Sequence, residues 1–308
     1  MKLLIAYDGS EHAKAAIRDL RRSGIPSQAT ALVTAVGEPS MAAVGAPSLD
    51  PSIARRPDTI LTQARRDTAI TLSHAQELAQ EGATLLADTF AGWDVTAQVR
   101  LGNPAEVIID SADEWSADLI VVGAHGRSAL GRLLIGSVSQ HVATQSARSV
   151  LVARHVIDRS DHPVRILIGI DGSPSSYAAV EAVAARAWSE TTEVRLVAIA
   201  GTHRSNSTAK RVPTAAAWID ESNQSQRDTA RAALEHSVRV LAPARLRVFD
   251  HFVEGGPQRI LNGLAAEHDA DCIFVGGGSF SADVPDMGTA DVINALVTTA
   301  PCSVEIVR

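Results

Sequence analysis

Three blocks of this 308-residue chain occur twice, in the same order, and that recurrence constrains the fold more than any other feature. LLIAYDGS at Leu3 to Ser10 returns as ILIGIDGS at Ile166 to Ser173. ARRDTA at Ala64 to Ala69 returns as SQRDTA at Ser225 to Ala230, and EWSADLIVVG at Glu114 to Gly123 as EHDADCIFVG at Glu267 to Gly276. Self-similarity at a fixed spacing means repeated structural units. The expected organisation is two copies of one domain, residues 1–155 and 164–308, joined by the polar stretch near His155 to Pro163.

Within each copy, short apolar runs alternate with segments of helical period. In copy one the strands are Leu3 to Tyr7, Ala29 to Val36, Val95 to Leu101, Leu119 to Val122 and Ser149 to Ala153. The helices are Ala13 to Arg22, Thr59 to Gly82, Pro104 to Trp115 and Val138 to Ser146. Asn103 before Pro104 gives an N-cap with proline in the first turn. Copy two has strands Arg165 to Ile170, Glu193 to Ala200, Leu246 to Val253, Cys272 to Val275 and Ser303 to Val307. Its helices start at Pro174 and run to about Trp188, then span Gln226 to Leu241, Pro257 to Glu267 and Ala290 to Thr299. Gly37 to Pro57 and Thr202 to Pro213 read as loops. Such alternation predicts an α/β fold, with helices on both faces of a parallel sheet.

The stretch LIVVGAHGRSALGRLLIGSVSQHVATQSARSVLVA, Leu119 to Ala153, carries the functional signal. A buried strand ends at Gly123. Gly126 follows, and after nine intervening residues Gly136-Ser137 opens a helix. Glycines after a strand permit sharp turns and close approach to a ligand. The helix N-terminus, with its free N–H groups, suits an anion such as a phosphate.

The spacing Gly-x2-Gly-x9-Gly-Ser, within GAHGRSALGRLLIGSVSQHV, resembles the ATP-binding signature of the universal stress protein (UspA-like) family. The resemblance extends over both copies. It implies two tandem Rossmann-like (HUP-type) domains, each a five-stranded parallel sheet of order 3-2-1-4-5. The ligand crevice then lies at the carboxyl ends of strands one and four. It implies ATP in domain one, with or without Mg²⁺, held by Asp8, Val36, Gly123, Gly126, Arg127, Gly136, Ser137, Val138 and Ser139. In the family, the residue at Val36 receives adenine through its backbone. Asp8 is either a turn residue before Gly9 or a carboxylate facing ribose or Mg²⁺. Arg127 is either solvated or a phosphate partner, and Ser139 donates either to a phosphate or to the helix backbone. The family also implies pairing of domains through their fifth strands, here within one chain, with a further homodimer left open.

Copy two departs from the signature. It reads GGGSFSADVPDMGTADV, with one residue fewer between the first two glycines and with Asp283 and Asp286 in the loop. Acids near a triphosphate oppose binding. A weaker second site would draw on Asp171, Ile199, Gly276, Gly278, Gly288 and Thr289.

Composition narrows the function classes. A net charge of −7 argues against nucleic acid or an anionic membrane as partner. No apolar run approaches the ~20 residues of a membrane span, and Tyr7-Asp8 breaks the apolar start before it resembles a leader. Two cysteines, Cys272 and Cys302, are too few for a disulfide framework and form no ligand cluster, so the expected compartment is the cytoplasm. The protein alone supplies no metal site. No P-loop, nucleophile elbow or paired acid and base is present. The expected function is therefore a nucleotide-responsive stress or signalling factor rather than an enzyme. Slow ATP hydrolysis is compatible with it. The rivals are an interaction module without nucleotide and an adenylyl-transfer enzyme of the same fold group.

Overall fold

The computed structural model describes residues 1–38, 57–124, 135–154, 162–200, 213–278 and 287–308. Domain one runs β1 (Lys2–Ala6), α1 (Glu11–Asp19), β2 (Thr30–Gly37), α2 (Pro57–Thr89), β3 (Asp94–Leu101), α3 (Pro104–Trp115), β4 (Leu119–Gly123), α4 (Ser137–Gln145) and β5 (Ser149–Ala153). Domain two repeats the plan: β6 (Arg165–Ile170), α5 (Pro174–Ala184), β7 (Glu193–Ala200), α6 (Pro213–Leu241), β8 (Arg247–Glu254), α7 (Pro257–Glu267), β9 (Cys272–Gly276), α8 (Met287–Thr299) and β10 (Ser303–Val307).

Each domain is a parallel sheet, ordered β3-β2-β1-β4-β5 in the first and β8-β7-β6-β9-β10 in the second. The two are joined by an antiparallel β5–β10 pair, with Val152 opposite Val304, Leu151 opposite Glu305 and Val150 opposite Ile306. The result is one ten-stranded sheet. Side chains alternate between its faces with a period of two. Leu3, Ile5 and Tyr7 of the β1 run enter one core and Leu4 the other; Leu119 and Val121 of β4 part from Ile120 and Val122 in the same way. Both cores contain residues of both domains. At the seam, Val150, Val152, Val304 and Ile306 are fully buried, each worth about 1.5–3 kcal/mol of apolar transfer.

The helices begin where the sequence supplies caps. Ser10 accepts from the Ala13 N–H at 3.1 Å. Asn103 accepts from Ala105 at 3.0 Å with Pro104 next in the chain. Ser173 accepts from Ser176 at 3.2 Å. Their ends are harder to foresee. Helix α2 continues through Gly82 to Thr89 because that glycine is a contact point rather than a stop. A Cβ there would lie 2.7 Å from Cγ of Tyr7 and 2.9 Å from Val33. Helix α5 stops at Ala184, and Trp188 instead covers Gly24 of domain one, at φ +63°, where a Cβ would meet the indole at 2.6 Å.

Candidate functional site

Strand β1 lies between β2 and β4, so their carboxyl ends share one edge of the sheet. Continuing the register from Leu3↔Leu119 sets Gly123 level with Tyr7, one residue before Asp8. Asp8, Val36 and Gly123 are therefore neighbours, although far apart in sequence.

Asp8 closes a tight turn. Its carboxylate accepts from the Ser10 N–H at 3.0 Å, with Gly9 at φ +77°. One oxygen is thus held by the backbone, and the side chain is half-buried. Val36 sits in β2 opposite Arg100 and is half-buried against the second core. Gly123 ends β4 pressed against the start of α1, where a Cβ would lie 3.2 Å from the His12 carbonyl carbon and 3.3 Å from the Ala13 nitrogen. Packing against a helix is thus reason enough for that glycine. Gly126 and Arg127 lie outside the described residues, as do His125 and Arg132.

Gly136 is the N-cap of α4 with extended backbone (φ −66°, ψ 142°), and its N–H donates to the Ala124 carbonyl at 2.8 Å. Gly136 has no side chain to cap this helix, so among the described residues its first-turn N–H groups have no intrahelical or N-cap side-chain partner. Ser137 is exposed, Val138 half-buried and Ser139 buried. The Ser139 hydroxyl donates to the Gly123 carbonyl at 2.6 Å. Its one proton fastens α4 to the end of β4, which is a structural task. Ser137 borders a cleft of about 420 Å³ shared with Asp291 and Asn294 of α8. A larger cleft of about 880 Å³ between α1 and α2, lined by Lys14, Arg18, Glu77, Glu81 and Asp88, contains none of the candidate residues.

Domain two keeps the turn and changes the helix. Asp171 accepts from the Ser173 N–H at 2.9 Å and from its hydroxyl at 2.6 Å, with Gly172 at φ +87°. Ile199 is buried in β7. Gly276 is pressed on α5 more tightly than Gly123 on α1, and Gly278 has a left-handed backbone at φ +69°. Counting back from the last strands, Ser137 stands twelve residues before Ser149, and Asp291 twelve before Ser303. The buried faces agree: Ser139, Val142 and Ala143 of α4 correspond to Ile293, Leu296 and Val297 of α8. Gln140 and Asn294, also equivalent, meet across the seam at 2.6 Å. On this register α8 begins four residues, about one turn, before α4 does. Gly288 and Thr289 fall inside that added turn, and Asp291 takes the place of Ser137.

Two residues escaped the sequence reading: Arg154 and Arg308, which follow β5 and β10. Each reaches the last turn of the other domain's fourth helix. The repeat of SVLVAR as SVEIVR carried the signal. Among the described residues, no group of three or more His, Cys, Asp or Glu is placed to hold a metal ion, and no helix is long and apolar enough to cross a membrane.

The model of the universal stress protein family matches the chain twice, over residues 1–154 and 164–308. A universal stress protein of Thermus aquaticus, encoded 3′ of QAH/OAS sulfhydrylase, is 33% identical over 152 residues, covering 49% of this chain and 97% of that protein. The stress response protein NhaX of Bacillus subtilis is 27% identical over 165 residues, 50% of this chain and 97% of its own length. Both relatives are thus about as long as one repeat. The crystal structure of a universal stress protein from Archaeoglobus fulgidus shares the fold across 100% of this chain and 96% of that one, with a TM-score of 0.58 at 17% identity. With both halves matched separately, the chain belongs to the universal stress protein family.

Proposed function

We propose that residues 1–155 bind ATP, with or without Mg²⁺, and that the chain acts in the cytoplasm as a nucleotide-responsive stress factor without dedicated catalysis. The observation that carries this reading is the meeting of Asp8, Val36, Gly123 and the uncapped N-terminus of α4 at one sheet edge. In it, adenine lies along the end of β2 and the phosphates lie toward the amides of Gly136 to Ser139. Gly126 and Arg127 belong to the proposed site through their place in the glycine signature. The free carboxylate oxygen of Asp8 faces ribose or Mg²⁺.

Residues 164–308 bind nucleotide more weakly or not at all. The added turn of α8 stands where domain one offers free amides, and Asp291 sets a carboxylate at the position of Ser137. That second domain fits better as an interaction module. In this reading the two domains stay paired in solution through the β5–β10 seam.

The test has two parts. Mass analysis of nucleotide released on denaturing the purified chain should find an adenine nucleotide at about one per chain. Calorimetric titration should then show one class of Mg-ATP site, lost in Gly136→Val because a branched side chain blocks backbone approach. Unchanged affinity in that variant would mean that the site is elsewhere, and two equal sites would overturn the asymmetry.

A further inference from the structure

Helix α4 has nine residues, a length that is marginal for an isolated helix in water. Tertiary contacts must therefore hold it: its buried face at Val142 and Ala143, and bonds at its two ends. Its first turn is fastened within domain one, by Ser139 donating to the Gly123 carbonyl. Its last turn is fastened from domain two. Nη2 of Arg308 donates to the Ala143 carbonyl at 2.7 Å, and Nη1 donates to the Arg148 carbonyl, just beyond the helix, at 3.2 Å. Carbonyls of a last turn have no partner within the helix, and a cation there complements the helix dipole.

Arg154 performs the mirror operation. Its Nη2 donates to the carbonyls of Val297 and Thr298, at 2.6 and 2.9 Å, in the last turn of α8. The symmetry extends to the backbone. The Arg308 N–H donates to Oγ of Ser149 and the Arg154 N–H to Oγ of Ser303, each at 3.0 Å. Burial lowers the pKa of both guanidinium groups, that of Arg308 to about 10. Taking an arginine out of water is unfavourable, so the carbonyl contacts it makes there must compensate.

We propose that Arg308 of domain two is a positioning residue for the nucleotide site of domain one, holding the last turn of α4 so that its first-turn amides stay aligned on the phosphates. This rests on the ATP reading of α4 given above. Arg154 is the internal control. It makes the same kind of contact on α8, whose added turn removes the need to hold an anion cradle.

Three full-length variants test the assignment: Arg308→Met, Arg308→Lys and Arg154→Met. Amide hydrogen exchange of the nucleotide-free chain reads helix order, and calorimetric titration with Mg-ATP reads the site. Arg308→Met should speed exchange within Val138 to Gln145 and raise the Kd for Mg-ATP about tenfold. Arg308→Lys keeps a cation that reaches one carbonyl and should recover part of both; it also serves if the methionine variant does not fold. Arg154→Met should speed exchange in α8 alone and leave the Kd within about twofold of wild type. Unchanged α4 exchange in Arg308→Met overturns the proposal. So does an equal loss of affinity in Arg154→Met, which would mean general loosening of the seam. A wild-type chain that takes up no Mg-ATP overturns the nucleotide reading instead, and exchange in α4 still decides whether Arg308 holds that helix.

Discussion

Replacing Gly123 or Gly276 by alanine separates two reasons for a glycine at the end of the fourth strand. If it only lets a ligand approach, a methyl group should alter binding and leave stability intact. The geometry predicts otherwise, and unequally. At Gly276 the new Cβ would lie 2.3 Å from the Ser175 carbonyl carbon, 2.5 Å from its oxygen and 2.6 Å from the Ser176 nitrogen. These are backbone atoms, so no rotamer change relieves the clash. Ordinary carbon–carbon contact begins near 3.5 Å, so the start of α5 must retreat by about 1.2 Å. At Gly123 the closest approach is 3.2 Å, to the His12 carbonyl carbon, and a shift of about 0.3 Å is enough. Overpacking a close-packed site costs about 1–3 kcal/mol. We expect Gly276→Ala near or above the top of that range and Gly123→Ala near the bottom. Urea unfolding, followed by both tryptophan fluorescence and far-ultraviolet circular dichroism, gives the loss as a fall in midpoint at constant slope. Coincidence of the two probes establishes that the transition is a single one. Equal and negligible losses in the two variants would refute the packing argument and return both glycines to the ligand.

Two further tests probe the seam and the site. Glu305, 1% exposed in the middle of β10, pairs with Arg186, which also donates to the Ser23 carbonyl at 2.9 Å and stacks over Phe274. Glu305→Gln should cost about 3 kcal/mol in urea unfolding by leaving a buried cation short of its counter-charge, whereas Arg186→Met with Glu305→Leu should recover most of it; a double variant as unstable as the single one would contradict this. Ser139→Ala removes the 2.6 Å bond to the Gly123 carbonyl and should cost about 1–2 kcal/mol while weakening Mg-ATP severalfold, and unchanged affinity in calorimetry would show that this fastening does not matter to the site.

Much of the architecture was legible because it rests on local signals. The continuous apolar runs Leu3 to Tyr7 and Leu119 to Val122 are buried on both faces of the sheet. The caps at Ser10, Asn103 and Ser173 lie where their sequences place them. The misses are tertiary. Gly82 looked like the end of α2, and only the nearness of Tyr7 and Val33 explains why the helix runs past it. Trp188 looked like the end of α5 and is instead an inter-domain plug. The same limit applies to the site. Ser139 offered its hydroxyl to a phosphate or to its own helix backbone, and it instead bonds a strand-end carbonyl sixteen residues away in sequence. Arg154 and Arg308 had no local meaning, because what they bind belongs to the other domain.

On the proposed reading, the second domain separates fold-making from ligand-making residues within one unit. Asp171-Gly172-Ser173 reproduces the turn of Asp8-Gly9-Ser10, including the left-handed glycine and the cap on the following helix. Gly276 reproduces the close approach of Gly123. Those positions satisfy backbone geometry, which each domain needs whether or not it holds a ligand. The register of α8 on α4 explains where they part. The buried face of the helix is kept in phase, since Ile293, Leu296 and Val297 must fill the core that Ser139, Val142 and Ala143 fill in domain one. Its N-terminal end has no such obligation. There an added turn stands where domain one has the first-turn amides of α4, while within the kept face Ile293 replaces the serine that fastened helix to strand. A cradle for an anion needs a helix to start at one particular place, whereas a core needs only its phase. Domain two can therefore keep its stability, and its grip on α4 through Arg308, after its own helix no longer starts where an anion would sit.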